Sequence, residues 1–344
     1  MAKNLTVHVE SISDVAGILE RLCQARAGPD KTAASALTMN FVVFVDDAER
    51  RAWVLERAAR IAEKHPSRTI VLDSTGAATG LDVSCHKRES GGATILNERI
   101  DIGVATLGHA TIVGMVRQLT VAGCPTILWW SGASLLESRT FSGLVELADA
   151  VIVDSSGRAR DEATLRELVE FQRRYPHVAL HDLAFMRLAP WREMIAQFFD
   201  DPALRDDLFS LAALEVESGS EAEALYLGGW LGSRISWEAT DPGTFRTTRG
   251  ETVLFTRTPR GEGRRIVRVV LTSGDSRYLA QLAEDDENVV CLSVEGKRAK
   301  ACWLVPLHAV DNTSLIERAI LAGTRDPIFE TTLETVRGLL GDLA

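Results

Sequence analysis

Cysteine is scarce and scattered in this sequence. The five residues Cys23, Cys85, Cys124, Cys291 and Cys302 are odd in number and lack the close spacing of a disulfide framework or zinc knuckle. Unpaired thiols in a reducing, cytoplasmic setting are therefore expected. Positive charge is also short: 38 Lys and Arg face 48 Asp and Glu, a net charge of −10. The acidic residues are spread along the chain, which disfavours a nucleic-acid partner, since phosphate binding needs a basic face. Met1 to Leu5 opens with no apolar export segment. Gln118 to Leu136 is uncharged over the length of a membrane span, but Gly123-Cys124-Pro125 and Ser131-Gly132 break it and leave Pro125 to Trp130 as a buried strand, so no membrane partner is expected.

Catalytic and cofactor signatures are missing as well. There is no phosphate loop ending in Lys-Ser/Thr, no three-glycine dinucleotide fingerprint after a strand, no zinc-protease helix motif and no serine nucleophile elbow. Gly261-Glu262-Gly263 sits in a charged turn instead. No cofactor is expected, and the chain reads as a binding protein rather than an enzyme.

What is present divides into two kinds of pattern. Helical spacing from Ser11 to Ala25, stopped at Gly28-Pro29-Asp30, gives an opening helix. Phe41 to Val45, a cap at Asp46-Asp47, a helix through Ile61 and the run Arg68 to Leu72 form a strand-helix-strand unit, favouring parallel pairing. Val83 to Glu89 and Arg99 to Ala105 read as a hairpin around Gly91-Gly92. Helix 108–122, strand 126–130, helix 141–148 and strand 151–153 complete an α/β domain over residues 1–160, an open, mostly parallel sheet with helices on both faces. Asp161 to Arg174, a charged amphipathic helix without a core of its own, marks the junction. In residues 161–344, helices 190–199 and 221–236 precede strands 252–258, 265–272, 278–283, 288–295 and 298–305. Their short connections imply an α+β domain with an antiparallel sheet and two C-terminal helices.

Several residues stand out within this frame. Asp73, Ser131, Asp154 and Ser155 lie at the carboxyl ends of parallel strands, where a ligand crevice or plain turn chemistry are both consistent. His177, His181 and Asp182 are either three metal ligands or an ordinary connector. Trp129-Trp130 should place one indole on each face of its strand, and an exposed Trp130 would serve an interface. After Pro190, the stripe Trp191, Met194, Ile195, Phe198, Phe199 buries one helix face. Arg187, Arg192 and Glu193 beside it, with Asp182 before it, make a candidate partner surface, as do Trp230 and Arg234, one helical turn apart. Gly228, Gly229 and Gly232 within that second helix imply close approach of another segment. A two-residue loop at Gly296-Lys297 would set Cys291 directly across from Cys302, either as two small residues or as a redox pair.

These segments resemble the glucose-6-phosphate dehydrogenase assembly protein family, OpcA, of cyanobacteria and actinobacteria. The resemblance is carried by His65-Pro66-Ser67-Arg68, by Cys124 through Gly132, by Val151 through Ser156, by Asp182 through Glu193 and by Gly229 through Arg234. It is collinear over roughly residues 40 to 310, with Phe185, Met186 and Ala189 departing from the family pattern. It implies a non-enzymatic partner that promotes the active oligomer of glucose-6-phosphate dehydrogenase in the oxidative pentose phosphate pathway. Thiol redox control, found in cyanobacterial members, would fit Cys291 and Cys302. The alternative from another class is a small-ligand-binding or enzymatic protein using the Asp73, Ser131 and Asp154 edge.

Overall fold

A strand covered on both faces must be apolar throughout, and Met39–Val45 is buried at every position. In chain order the first elements are β1 (Thr6–Val9), α1 (Val15–Ala27), β2 (Met39–Val45), α2 (Ala48–Lys64), β3 (Ser67–Asp73), β4 (Leu81–Ser90), β5 (Ala93–Gly103), α3 (His109–Leu119), β6 (Thr126–Ser131), α4 (Arg139–Val145) and β7 (Ala150–Val153). After α5 (Asp161–Arg174), β8 (Ala179–Asp182) completes a sheet of order β1-β4-β5-β3-β2-β6-β7-β8. Strands β5, β3, β2, β6 and β7 pair in parallel, while β1 and β4 make an antiparallel edge. The computed structural model describes residues 6–27, 37–78, 80–90, 93–156, 161–260, 266–296, 300–308 and 310–341. The turns expected at Gly91-Gly92 and Gly261-Glu262-Gly263, the helix stop at Gly28-Pro29-Asp30, and Lys297 fall outside them.

Local chemistry explains why the first sheet forms. Asp47 accepts the Glu49 and Arg50 amides at the start of α2. Trp129 stacks on Phe41 and meets Trp53 of α2, whereas Trp130 stacks on Phe44 and meets Phe141 of α4. The two indoles thus serve opposite faces, each only 2% exposed.

Two expectations fail among these elements. Cys23 of α1 and Cys85 of β4 form a disulfide with Cα atoms 5.5 Å apart, so these thiols are paired. A sequence separation of 62 carries no local spacing signal; packing of α1 on β4 brings them together. Nor is α5 without a core, since Leu165, Leu168, Val169 and Phe171 are buried.

The later elements are α6 (Leu183–Arg187), α7 (Ala189–Gln197), β9 (Ala213–Ser218), α8 (Glu221–Arg234), β10 (Glu238–Asp241), β11 (Thr244–Arg246), β12 (Thr252–Pro259), β13 (Ile266–Ser273), β14 (Ser276–Leu282), β15 (Val289–Glu295), β16 (Lys300–Pro306), α9 (Asn312–Ala322) and α10 (Pro327–Leu339). The second sheet, β10-β11-β12-β9-β13-β14-β15-β16, is antiparallel except where β9 runs parallel to β12. Of the inward-facing residues of β9, Leu214, Val216 and Ser218, only two are apolar, so its apolar signal is too short to mark a strand in the sequence. The helical glycines are explained by close approach. A Cβ on Gly229 would lie 3.0 Å from the Thr332 carbonyl of α10, and one on Gly228 would strike the Phe255 ring at 2.5 Å.

Strands β15 and β16 pair Glu295 with Lys300, Ser293 with Cys302 and Cys291 with Leu304. Cys291 and Cys302 are therefore diagonal rather than directly opposite. The connection spans residues 296–299, two longer than expected, and a slip of two leaves every side chain on the same face, invisible to an alternation argument. The thiols still approach, Sγ to Sγ 3.4 Å.

The chain divides into two compact units: 1–153 with 176–181 and 316–324, and 154–175 with 182–315 and 325–344.

Candidate functional site

The second unit gathers polar side chains from four places in the sequence. Asp182 caps α6, its Oδ1 accepting the Ala184 amide at 2.9 Å and the Ser155 amide at 3.1 Å, while Oδ2 accepts the Tyr226 hydroxyl at 2.8 Å. One turn on, Arg187 donates through Nε to Glu223 Oε1 (3.2 Å), through Nη1 to Asn312 Oδ1 (2.8 Å), and through Nη2 to Asp154 Oδ1 and Ser156 Oγ (both 2.7 Å). The Arg187 side chain is 8% exposed and that of Glu223 1%.

Burial sets the protonation of this cluster. Loss of water pushes the Glu223 carboxyl up to about 8, against the lowering influence of Arg187. Burial, then the Asp154 charge, raises Asp182, and burial with Asp182 raises Tyr226. Arg187 is consequently matched chiefly by Asp154, and Glu223 holds a proton near neutrality.

The expected partner residues separate into two groups. Trp191, Trp130, Asp182 and Arg187 are buried. Arg192 lies over the Phe185 ring, 4.1 Å from its centroid, while Glu193 is exposed. Trp230 is half-buried and Arg234 exposed. These last two line a shallow apolar groove of 350 Å³ with Phe199, Phe209 and Ile235, and Phe209 is 50% exposed. No described residue forms an ion pair with Arg234.

The strand-end carboxylates are occupied by their own neighbours. Asp73 accepts from Arg51 Nε at 2.5 Å and from the Thr75 amide and hydroxyl. Burial acts to raise its pKa, but the Thr75 and Arg51 bonds outweigh it and hold the carboxylate low. The Ser131 hydroxyl is buried without a hydrogen-bond partner among the described residues. Beside it, the Trp130 indole occupies the space a Cβ on Gly132 would need, at 2.7 Å. Asp154 and Ser155 belong to the Arg187 cluster. His177 is exposed and His181 buried, and among the described residues no three His, Cys, Asp or Glu side chains gather as a metal site.

Glu223, Tyr226, Asn312 and Phe209 are functional candidates that the sequence reading missed. Ser220-x-x-Glu223 has the form of a helix-capping box, and Ser220 does accept the Glu223 amide. The Glu223 side chain instead bonds Arg187, a long-range pairing that no spacing announces.

An α/β sheet followed by a second sheet with helices defines a Rossmann-like two-domain class. It is similar to the 3-ketoreductase KijD10 of Actinomadura kijaniata in complex with TDP-benzene and NADP, with a TM-score of 0.51, 10% identity, and coverage of 88% of this chain and 96% of that one. A Klebsiella pneumoniae NAD binding oxidoreductase is comparable, at TM-score 0.51 and 11% identity over 89% and 95%. At such identity the likeness shows the fold alone.

Sequence comparison is more specific. Residues 58–170 match the glucose-6-phosphate dehydrogenase subunit N-terminal domain of the OpcA family, and residues 178–333 match its C-terminal domain. The putative OxPP cycle protein OpcA of Nostoc punctiforme is 31% identical over 189 residues, 53% of this chain and 40% of that protein. The Synechococcus elongatus protein of the same name is 28% identical over 247 residues, 64% of this chain and 54% of that one. The chain thus spans about half the length of the curated relatives it matches. It belongs to the OpcA family.

Proposed function

We propose that this chain is a non-catalytic partner of glucose-6-phosphate dehydrogenase in the oxidative pentose phosphate (OxPP) cycle and favours the enzyme's active assembly. The observation that carries this reading is the pair of dehydrogenase-subunit domain matches, which run through both sheets. The contact surface is the groove at Trp230, Arg234 and Phe209, because Trp and Arg at a partly exposed apolar site are the types that dominate interface energies. Arg192 and Glu193 extend the candidate surface from α7. To act as an activator the chain must bind one state of the enzyme more tightly than another, and a tenfold shift needs about 1.4 kcal/mol of differential binding. A redox input would enter at Cys291 and Cys302, whose sulfurs stand 3.4 Å apart with Cys302 exposed.

The test is to add the purified chain to the dehydrogenase of the same organism. Light scattering should report a larger assembly and the apparent KM for glucose 6-phosphate should fall. The chain alone should not reduce NADP with that substrate. Unchanged size and KM, or turnover by the chain itself, would reject the reading.

A further inference from the structure

The two sheets end on the edge strands β1, β8, β10 and β16, and the first three are guarded in ways that prevent unwanted pairing. β1, β8 and β10 have 4 residues each; β8 is buried at every position and β10 carries Glu238 and Asp241. β16 differs. It has 7 residues, and Ala301-Cys302-Trp303-Leu304-Val305 within it contains no charge. Cys302 is exposed, Leu304 is 67% exposed and Trp303 is half-buried. Among the described residues no strand pairs with the outer side of β16.

Register fixes which main-chain groups that outer side offers. Leu307, just past β16, donates its amide to the Asn288 carbonyl at 2.6 Å, while Ala283, just past β14, donates to the Val289 carbonyl at 2.9 Å. Alternation along the ladder then turns the main-chain groups of Ala301, Trp303 and Val305 towards β15, and those of Cys302 and Leu304 outward. Pro306 belongs to the outward series, where its missing N–H interrupts no bond to β15.

We propose that β16 is a self-association edge, which pairs antiparallel with β16 of a second copy about a two-fold axis at Trp303. In that register Cys302 of one copy exchanges both main-chain hydrogen bonds with Leu304 of the other, and Lys300 meets Pro306, so the whole strand is used. The two Trp303 residues form a non-hydrogen-bonded pair, the closer kind, on the face where Trp303 already meets Phe198 at 5.9 Å. Charge selects both the occupant and its direction. The sequence entering β16 is basic at Lys297, Arg298 and Lys300, whereas the turn before Asn288, beside the Leu307 end, is acidic at Glu284, Asp285 and Asp286. An antiparallel copy turns the basic end of one chain towards the acidic end of the other, and a parallel copy would bring like charges together. Pairing one such edge covers less than the roughly 1,200 Å² of a standard interface, so the dimer is weak, half-formed at about 100 µM. The edge shares no residue with the groove assigned to the dehydrogenase, and its test uses the chain alone.

The experiment is sedimentation equilibrium of the full chain under reducing conditions, over about 5 to 500 µM. The native chain should pass from monomer to dimer across that range. Leu304→Pro removes an outward N–H and leaves the ladder to β15 intact, so it should stay monomeric with native circular dichroism. Leu304→Lys keeps every backbone donor and puts a charge on the edge; it should weaken association about tenfold or more, and it decides alone should the proline variant not fold. Residue-resolved hydrogen exchange gives the register. The Cys302 and Leu304 amides should gain protection between dilute and concentrated samples, whereas the Trp303 amide, bonded to β15, is protected in both. A chain still monomeric at about 500 µM would overturn the proposal. So would a dimer that a folded Leu304→Lys leaves intact, or one that forms without new protection at Cys302 and Leu304.

Discussion

Arg187 and Arg234 look alike in the sequence, each an arginine beside an aromatic stripe, yet the fold uses them oppositely. Arg187 is enclosed and donates to Glu223, Asn312, Asp154 and Ser156. Arg234 lies exposed beside Trp230 and Phe209. The difference teaches that a charge next to a buried helix face has two explanations, an interface or an internal ion pair. Only the identity of what lies across from it decides. If the contrast is real, substitutions at the inner position should cost stability and those at the outer position should cost affinity.

The largest effect is expected for Arg187→Ala. Removing one member of a buried ion pair takes the guanidinium away from Asp154, which costs about 3–5 kcal/mol. Urea denaturation of the purified variant measures it, and a loss below about 1 kcal/mol, the range of an exposed pair, would break the contrast.

A smaller effect in the other unit serves as a control. The Cys23–Cys85 bond closes a loop of 62 residues, for which chain entropy gives about 4 kcal/mol at most and 2–4 kcal/mol typically. Cys85→Ser should lower the unfolding midpoint accordingly and leave affinity for the dehydrogenase unchanged, because the groove draws no residue from the first unit. An affinity change in a folded Cys85→Ser chain would show that the groove is not self-contained.

Next comes the outer arginine. Arg234→Ala should weaken dehydrogenase binding by about 2 kcal/mol, roughly thirtyfold, with stability unchanged within about 0.5 kcal/mol. Surface plasmon resonance and a urea midpoint together check both halves. Unaltered affinity would move the contact away from the groove.

How much of this was legible depended on whether the signal was local. The parallel strands through Met39–Val45 and Thr126–Ser131, the crossover α2 and the hairpin strands β13 to β16 follow from periodicity and turn residues, because each is written within a dozen positions, whereas the insertion of β9 between β12 and β13 is not. Asp182, Arg187, Trp230 and Arg234 were visible as unusual residues. Their division into inside and outside was not, since Glu223 is 36 positions from Arg187 and Asn312 is 125. The disulfide and the two-residue slip at Cys291 are hidden for related reasons. Long-range pairing has no spacing rule, and a shift of two keeps the alternation intact.

The sharpest prediction concerns Glu223, whose proton separates the inner position from the outer one. Burial raises this carboxyl from its ordinary 4.5 to about 8 in the folded chain. Between those values the folded state holds a proton that the unfolded state has released, so stability contributed by the group is full below about 4.5 and declines as pH rises towards about 8. Glu223→Gln keeps the shape and removes the titration. Its urea midpoint should therefore gain on that of the native chain at each step from pH 5 to pH 8, the difference levelling off above the folded pKa. Arg234→Gln, made at the exposed groove, should follow the native pH slope throughout. If Glu223→Gln also follows the native slope, Glu223 is ionised near neutrality and matches Arg187 as a second carboxylate. The cluster then carries net negative charge rather than near balance.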